Sequence, residues 1–175
     1  MSPARWCAYE VVRRVFEGGA YADLALEAAA QRAGLDARDR ALAMQLAYGT
    51  VQRRATLDYL ITALASRPAE SLDAPLLQAL RLGLYQLVFL AGIPDHAAAD
   101  QTVELAKSGR DGGFRLANAV MRRAAREGAE LLEELTDDTP GDAAIRHSHP
   151  DWLVRAWWDL LGPEEANELL GEPDH

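Results

Sequence analysis

Apolar residues return every three or four positions along almost the whole chain, which is the spacing of one face of an α-helix. Ala8, Val11, Val12, Val15 and Phe16 mark a first helix over roughly residues 4–17, with Pro3 near its start and Gly18-Gly19 at its end. A second helix follows at about 21–32 and closes at Gly34. Asp36, three residues before Asp39, opens a third run, in which Val51, Leu57, Leu60, Ile61 and Leu64 keep the period to about residue 65. Gly49 is the expected break or bend within it. After Arg67-Pro68, the stripe Leu76, Leu77, Leu80, Leu84, Leu87 and Val88 has the apolar width of a helix at the centre of a bundle. Gly92 and Pro94 end that helix, and Asp95 is placed to cap the next, which runs to about Lys107.

Ser108 to Gly113 forms a glycine-rich loop, and a long helix is expected from about Phe114 to Leu135. Asp137 to Asp142, with Thr-Pro-Gly inside it, reads as a linker. Beyond it stand Ser148, Pro150 at a first-turn position, a tryptophan-rich helix to Leu161, and a short helix opened by Pro163. In that tryptophan-rich helix Trp157 shares a face with Leu153, Leu160 and Leu161, and Trp152 or Trp158 must point away from it. No segment alternates with a period of two. The fold class is all-α, with a helical bundle over 1–135 and a helical connector over 136–175.

Composition changes this picture chiefly through charge. The 175 residues carry 27 Asp and Glu against 18 Lys and Arg, a formal net charge of −9, which taken whole argues against a nucleic-acid partner. The average conceals a division. Residues 1–126 hold 16 basic side chains against 13 acidic, whereas residues 127–175 hold 2 against 14. The expected bundle is therefore mildly basic and the connector strongly acidic. Arg outnumbers Lys by 17 to 1, and a planar, permanently charged fork suits phosphate and carboxylate partners; a GC-rich coding bias gives the same composition. The single Cys7 excludes an internal disulfide and a cysteine-rich zinc site. The longest nearly apolar run, Leu82 to Ile93, is too short to span a bilayer. No signal peptide is apparent, so the expectation is a cytoplasmic protein without a membrane partner.

Catalytic motifs are lacking: there is no P-loop, Rossmann fingerprint, zinc-protease helix or nucleophile elbow. The loop at 109–113 lacks a preceding strand and a Walker lysine, and turn chemistry accounts for it. His147 and His149 with Asp151 are too few for a metal site, and Cys7 lies on an apolar helix face. Arginines carry more information. Arg115, Arg122 and Arg126 fall at intervals of seven and four, on one face of the long helix, with Arg123 on its shoulder. Arg5, Arg13 and Arg14 mark the first helix, and Arg53-Arg54 follows Gly49. Converging helix ends of this kind can read phosphate geometry; the same spacing also describes an ordinary charged helix surface.

Four ordered blocks resemble a known family. Ala47-Tyr48-Gly49-Thr50-Val51 with Arg53-Arg54 and Leu57-Asp58 is similar to the middle signature of the NusB-type RNA-binding domain. Leu80-Arg81-Leu82-Gly83-Leu84-Tyr85-Gln86-Leu87 followed by Ile93-Pro94 resembles its central helix and turn. Ala98 to Lys107, and Phe114 with Asn118-Ala119-Val120-Met121-Arg122-Arg123, complete the pattern over roughly residues 4–134. His96-Ala97-Ala98, and Ser148-His149-Pro150-Asp151-Trp152-Leu153-Val154 with Trp157, Leu161 and Gly162, resemble the form that precedes the catalytic domain of bacterial 16S rRNA cytosine-C5 methyltransferases.

That resemblance implies an RNA-binding, substrate-positioning module that is not catalytic by itself. Its S-adenosylmethionine cofactor and paired catalytic cysteines would belong to a C-terminal domain outside these residues, and Cys7 matches neither cysteine. The implied partners are 16S ribosomal RNA, that catalytic domain through residues 136–175, and a ribosomal protein. The RNA surface carried over from the family comprises Arg5, Arg13, Arg14, Arg53 and Arg54, to which spacing adds Arg115, Arg122 and Arg126. Arg81 is expected to be structural, paired with Asp58 or Glu104, and Asn118 to lock a helix crossing through the backbone. Two other roles suit the same blocks: a free-standing antitermination or protein-interaction module, for which the last forty residues are superfluous, and a structural platform for the catalytic domain.

Overall fold

The Ser2 hydroxyl accepts a hydrogen bond from the Arg5 amide at 3.3 Å, and Pro3 takes the first helical position, so the chain is helical almost from its start. The computed structural model describes residues 1–109 and 112–172. Within them lie α1 (Pro3–Gly18), α2 (Ala22–Ala33), α3 (Ala37–Gln52), α4 (Arg54–Ala65), α5 (Ala74–Phe89), α6 (Asp95–Ala106), α7 (Gly113–Glu133), α8 (Pro140–His147), α9 (Asp151–Leu161) and α10 (Pro163–Leu170), with a 3-10 turn at Ala69–Ser71 and no strand.

Helix α5 is the axis of the bundle. Every residue from Leu76 to Gln86 is buried, and α1, α3, α4, α6 and α7 pack around it. Leu46, Leu57, Ile61, Leu80, Leu84 and Met121 are among the fully buried side chains, and burial of each contributes about 2 kcal/mol. Two glycines fix the closest approaches. A Cβ on Gly49 would lie 2.0 Å from the Tyr85 ring, and one on Gly83 would lie 2.0 Å from Thr102 Oγ1. Gly49 therefore serves helix packing and does not break the helix. The break falls four residues later, at Arg53, whose φ of −96° and ψ of 15° separate α3 from α4.

Two further expectations are corrected in the same way. Asp95 does not cap α6 through its side chain; it is the first helical residue, after Pro94, where its charge suits the helix dipole. The stretch 137–142 is only partly a linker. Thr139 Oγ1 accepts from the Asp142 amide at 3.1 Å with Pro140 at the first helical position, so α8 starts inside it.

The last three helices build a small core of their own from Ala143, Ala144, Val154 and Leu170, with Trp157 and Trp158 packed against it. Leu160 does not share this packing with Trp157: it is 78% exposed. The main core draws on α1 to α7. Helix α4 joins the two. Its first turn has no side-chain cap of its own, and the Ala55 amide donates to Ser148 Oγ at 3.1 Å while the Thr56 hydroxyl donates to the Ile145 carbonyl. No helix among the described residues is long and apolar enough to cross a membrane.

Candidate nucleic-acid interface

The apolar stripe of α7 (Ala117, Val120, Met121, Ala124 and Gly128) is buried against the bundle, which forces the opposite face outwards. Arg115, Arg122 and Arg126 are exposed on that face. None of the three has an acidic partner among the described residues; Arg115 lies over the Phe114 ring at 5.7 Å. The outer α7 arginines span about 16 Å along the helix axis, at 1.5 Å per residue. Arg123, one position away, turns inwards. It pairs with Glu127 and donates to the Ala63 and Leu64 carbonyls at 3.1 Å each, closing the C-terminal end of α4. Sequence spacing placed it on the shoulder of the face but carried no signal of this cap.

The arginines of α1 are held differently. Arg13 Nε donates to Glu17 at 2.8 Å, and its guanidinium lies 5.8 Å from the centre of the Tyr9 ring. The hydrogen bond to Glu17 raises its pKa further above neutrality. Arg14 pairs with Glu10 at 3.0 Å, and the same carboxylate takes Arg32 from α2. Arg5 is half-buried: its Nε donates to Gln86 Oε1 at 2.9 Å and its Nη1 donates to Ser2 Oγ at 3.3 Å, and burial lowers its pKa. It serves as a tie between α1 and α5. Arg53 and Arg54 are brought to two different aromatic rings, Phe89 at 4.9 Å and Phe16 at 5.3 Å. Phe16 is in the last turns of α1, so Arg54 adjoins that helix, 3.9 Å from Asp58. The structure thus joins Arg54 to α1 and leaves the α7 arginines as a face of their own.

Arg81, 4% exposed in the middle of α5, binds Asp58 through both arms of its fork, at 2.7 and 2.8 Å. It also donates to Gln78 Oε1 at 2.9 Å and lies 4.4 Å from the Phe16 ring centre. Asn118 is half-buried on α7, but its side chain makes no hydrogen bond among the described residues, so the expected lock on a crossing is absent. His147 faces Asp137 at 3.3 Å and His149 faces the Leu170 carbonyl at 3.1 Å, each engaged within the connector. Cys7 is buried, and that burial pushes its thiol pKa up. Arg110 and Asp111 of the glycine-rich loop lie outside the described residues. The arrangement offers cations and aromatic faces, the chemistry of polyanion binding.

Comparisons with known proteins bear on the family and the fold. The model of the NusB family matches residues 2–126. A putative methyltransferase of Mycobacterium tuberculosis is 39% identical over 184 residues, which cover 99% of this chain and 40% of the relative. The probable ribosomal RNA small subunit methyltransferase B of Bacillus subtilis is 34% identical, covering 93% of this chain and 36% of its own length. The ribosomal RNA small subunit methyltransferase B of Thermus thermophilus is 39% identical, with 97% and 38% covered. This chain spans about two fifths of the length of these relatives. The solved structure of T. maritima NusB superposes with a TM-score of 0.66 at 22% identity, covering 71% of this chain and 89% of that one, which shows a shared fold.

Proposed function

The chain belongs to the NusB family, and from that premise we propose that its bundle binds ribosomal RNA and positions it for a methyltransferase domain outside these residues. The observation that carries the reading is the outer face of α7, where Arg115, Arg122 and Arg126 stand exposed and make no ion pair among the described residues. Long relatives named as small-subunit ribosomal RNA methyltransferases supply the class of RNA and of reaction. S-adenosylmethionine would be held in the other domain. A Rossmann-like site needs the carboxyl ends of parallel strands, and the described residues contain none.

Residues 136–175 are proposed to carry the contact with that domain. Trp152 and Leu160, eight positions apart on α9, share one helix face and are 72% and 78% exposed. Slower amide exchange in α9 of the longer protein than in this chain is the expected sign of that contact.

Titration of a labelled small-subunit ribosomal RNA fragment with this chain at two salt concentrations tests the reading. Micromolar or tighter binding that weakens as salt rises is expected. Absence of binding at low salt would overturn it.

A further inference from the structure

Helix α4 has both of its ends closed by distant parts of the chain. Its C-terminal carbonyls, Ala63 and Leu64, accept from Arg123 of α7 at 3.1 Å each. At its N-terminus the Ala55 amide donates to Ser148 Oγ at 3.1 Å, across 93 positions of the chain. The buried Thr56 hydroxyl answers it by donating to the Ile145 carbonyl of α8. The end of α8 and the start of α4 therefore cap one another, and the negative end of one helix dipole meets the positive end of the other. Between its two ends, Asp58 is gripped by both arms of Arg81, which anchors α4 on α5.

Ser148 occupies a place that suits another residue better. Its φ of 56° lies in the left-handed region, where a helix C-terminus commonly has glycine. Glycine would relieve the backbone and lose the hydroxyl that α4 uses, so the serine favours the contact over the local conformation. Apolar packing at this joint is interrupted. The main core and the small core of the connector are separate, and two clefts border Ser148. One, of about 730 Å³, runs past Val51, Ile145 and Pro150, and the other, of about 250 Å³, runs past Gln52, His147 and Leu170. Where close packing gives way to clefts, directional hydrogen bonds carry the orientation.

We propose that Thr56 and Ser148 are positioning residues, which fix the connector on α4 and, through the Arg123 tie at the other end of that helix, fix it relative to the outer face of α7. RNA held on Arg115, Arg122 and Arg126 is thereby presented in one orientation to the domain that the Trp152–Leu160 face of α9 is proposed to contact. The proposal rests on the RNA-binding reading and adds to it the element that transmits its geometry. Neither hydroxyl touches RNA; each acts through the helix end that it caps. A misplacement of about 1 Å, made far from the reacting atoms, can cost about a hundredfold in rate.

The test measures the distance between bundle and connector in this chain. Spin labels are placed through Ala125→Cys on α7 and Ala156→Cys on α9, both exposed positions, while the buried Cys7 takes no label. The labelled chain is compared with Ser148→Gly, which suits the left-handed backbone, and with Thr56→Val and Thr56→Ser; circular dichroism melts establish that each is folded. One narrow distance distribution is expected with the native joint and with Thr56→Ser, and a broadened or displaced one with Ser148→Gly and Thr56→Val. In the longer protein, turnover at saturating ribosomal RNA should fall by about tenfold in Ser148→Gly, with RNA affinity unchanged. Distributions as narrow in Ser148→Gly and Thr56→Val as with the native joint would overturn the proposal, whatever the RNA result. Broadened distributions with unchanged turnover would overturn the positioning role. Failure of the wild type to bind ribosomal RNA would remove the RNA reading, and with it the presentation of RNA, while the rigid joint would stand or fall by the distances alone.

Discussion

On α1, Arg13 is held by Glu17 and Arg14 by a Glu10 that Arg32 also claims, whereas on α7 Arg115, Arg122 and Arg126 make no ion pair among the described residues. Both helices show arginines at helical spacing, yet the neighbouring residues give them different parts. The carboxylates that hold the α1 arginines line a groove with an aromatic wall at Trp6. The α7 face is an open row of cations, better suited to reading a backbone. A guanidinium already paired with a carboxylate adds less to phosphate binding, because one interaction must be exchanged for the other.

The most committed arginine is Arg81, and breaking its pair gives the largest expected effect on stability. Asp58→Ala leaves a buried guanidinium without its carboxylate and should cost about 3 kcal/mol, read as a fall in the urea midpoint. An unchanged midpoint would show that Gln78 and Phe16 suffice to hold the charge. Arg123→Ala sharpens the contrast within α7. It strips two carbonyls of their donor at the end of α4 and should cost about 1 kcal/mol. Its effect on the salt dependence of RNA binding should be small, unlike that of its outward-facing neighbours.

A smaller effect belongs to α2 and α3, which flank α1. Tyr48 donates its hydroxyl proton to Asp23, and burial together with that carboxylate pushes its pKa up to about 12. Because the folded value exceeds the unfolded one of about 10, the contribution is complete below that pH and is lost as pH rises towards 12. Burial also raises Tyr9 and Tyr85, so ultraviolet titration should show several tyrosines ionising late, and Tyr48→Phe should remove one of them at the alkaline end. A Tyr48 that ionises with exposed phenols would contradict the assignment.

Much of this architecture was legible in the sequence, because the apolar period specifies which face of each helix is buried. The stripe from Leu76 to Val88 marked the central helix, and the intervals from Arg115 to Arg126 marked the exposed face of α7. What escaped depended on neighbours distant in the chain. Gly49 looks like a breaker until Tyr85, 36 positions later, occupies the space its side chain would need. Thr139-Pro140-Gly141 has the composition of a turn and nevertheless caps a helix. Arg5 reads as a surface cation until Gln86 accepts from it. The groove beside Trp6 was partly accessible: positions 3, 6, 10, 13 and 17 share a helical face, but the Glu10–Arg32 bridge that shapes its charge spans 22 residues.

RNA binding by the bundle is proposed to rest on phosphate contacts made by Arg115, Arg122 and Arg126 of α7. Its most direct test is the log–log salt slope of ribosomal RNA binding for wild type and for the combined Arg115→Ala, Arg122→Ala and Arg126→Ala variant. Three lost contacts should reduce the slope by about 2, with the urea midpoint unchanged, while Arg13→Ala with Arg14→Ala reduces it less. An unchanged slope in the α7 variant would show that RNA is not held through these arginines.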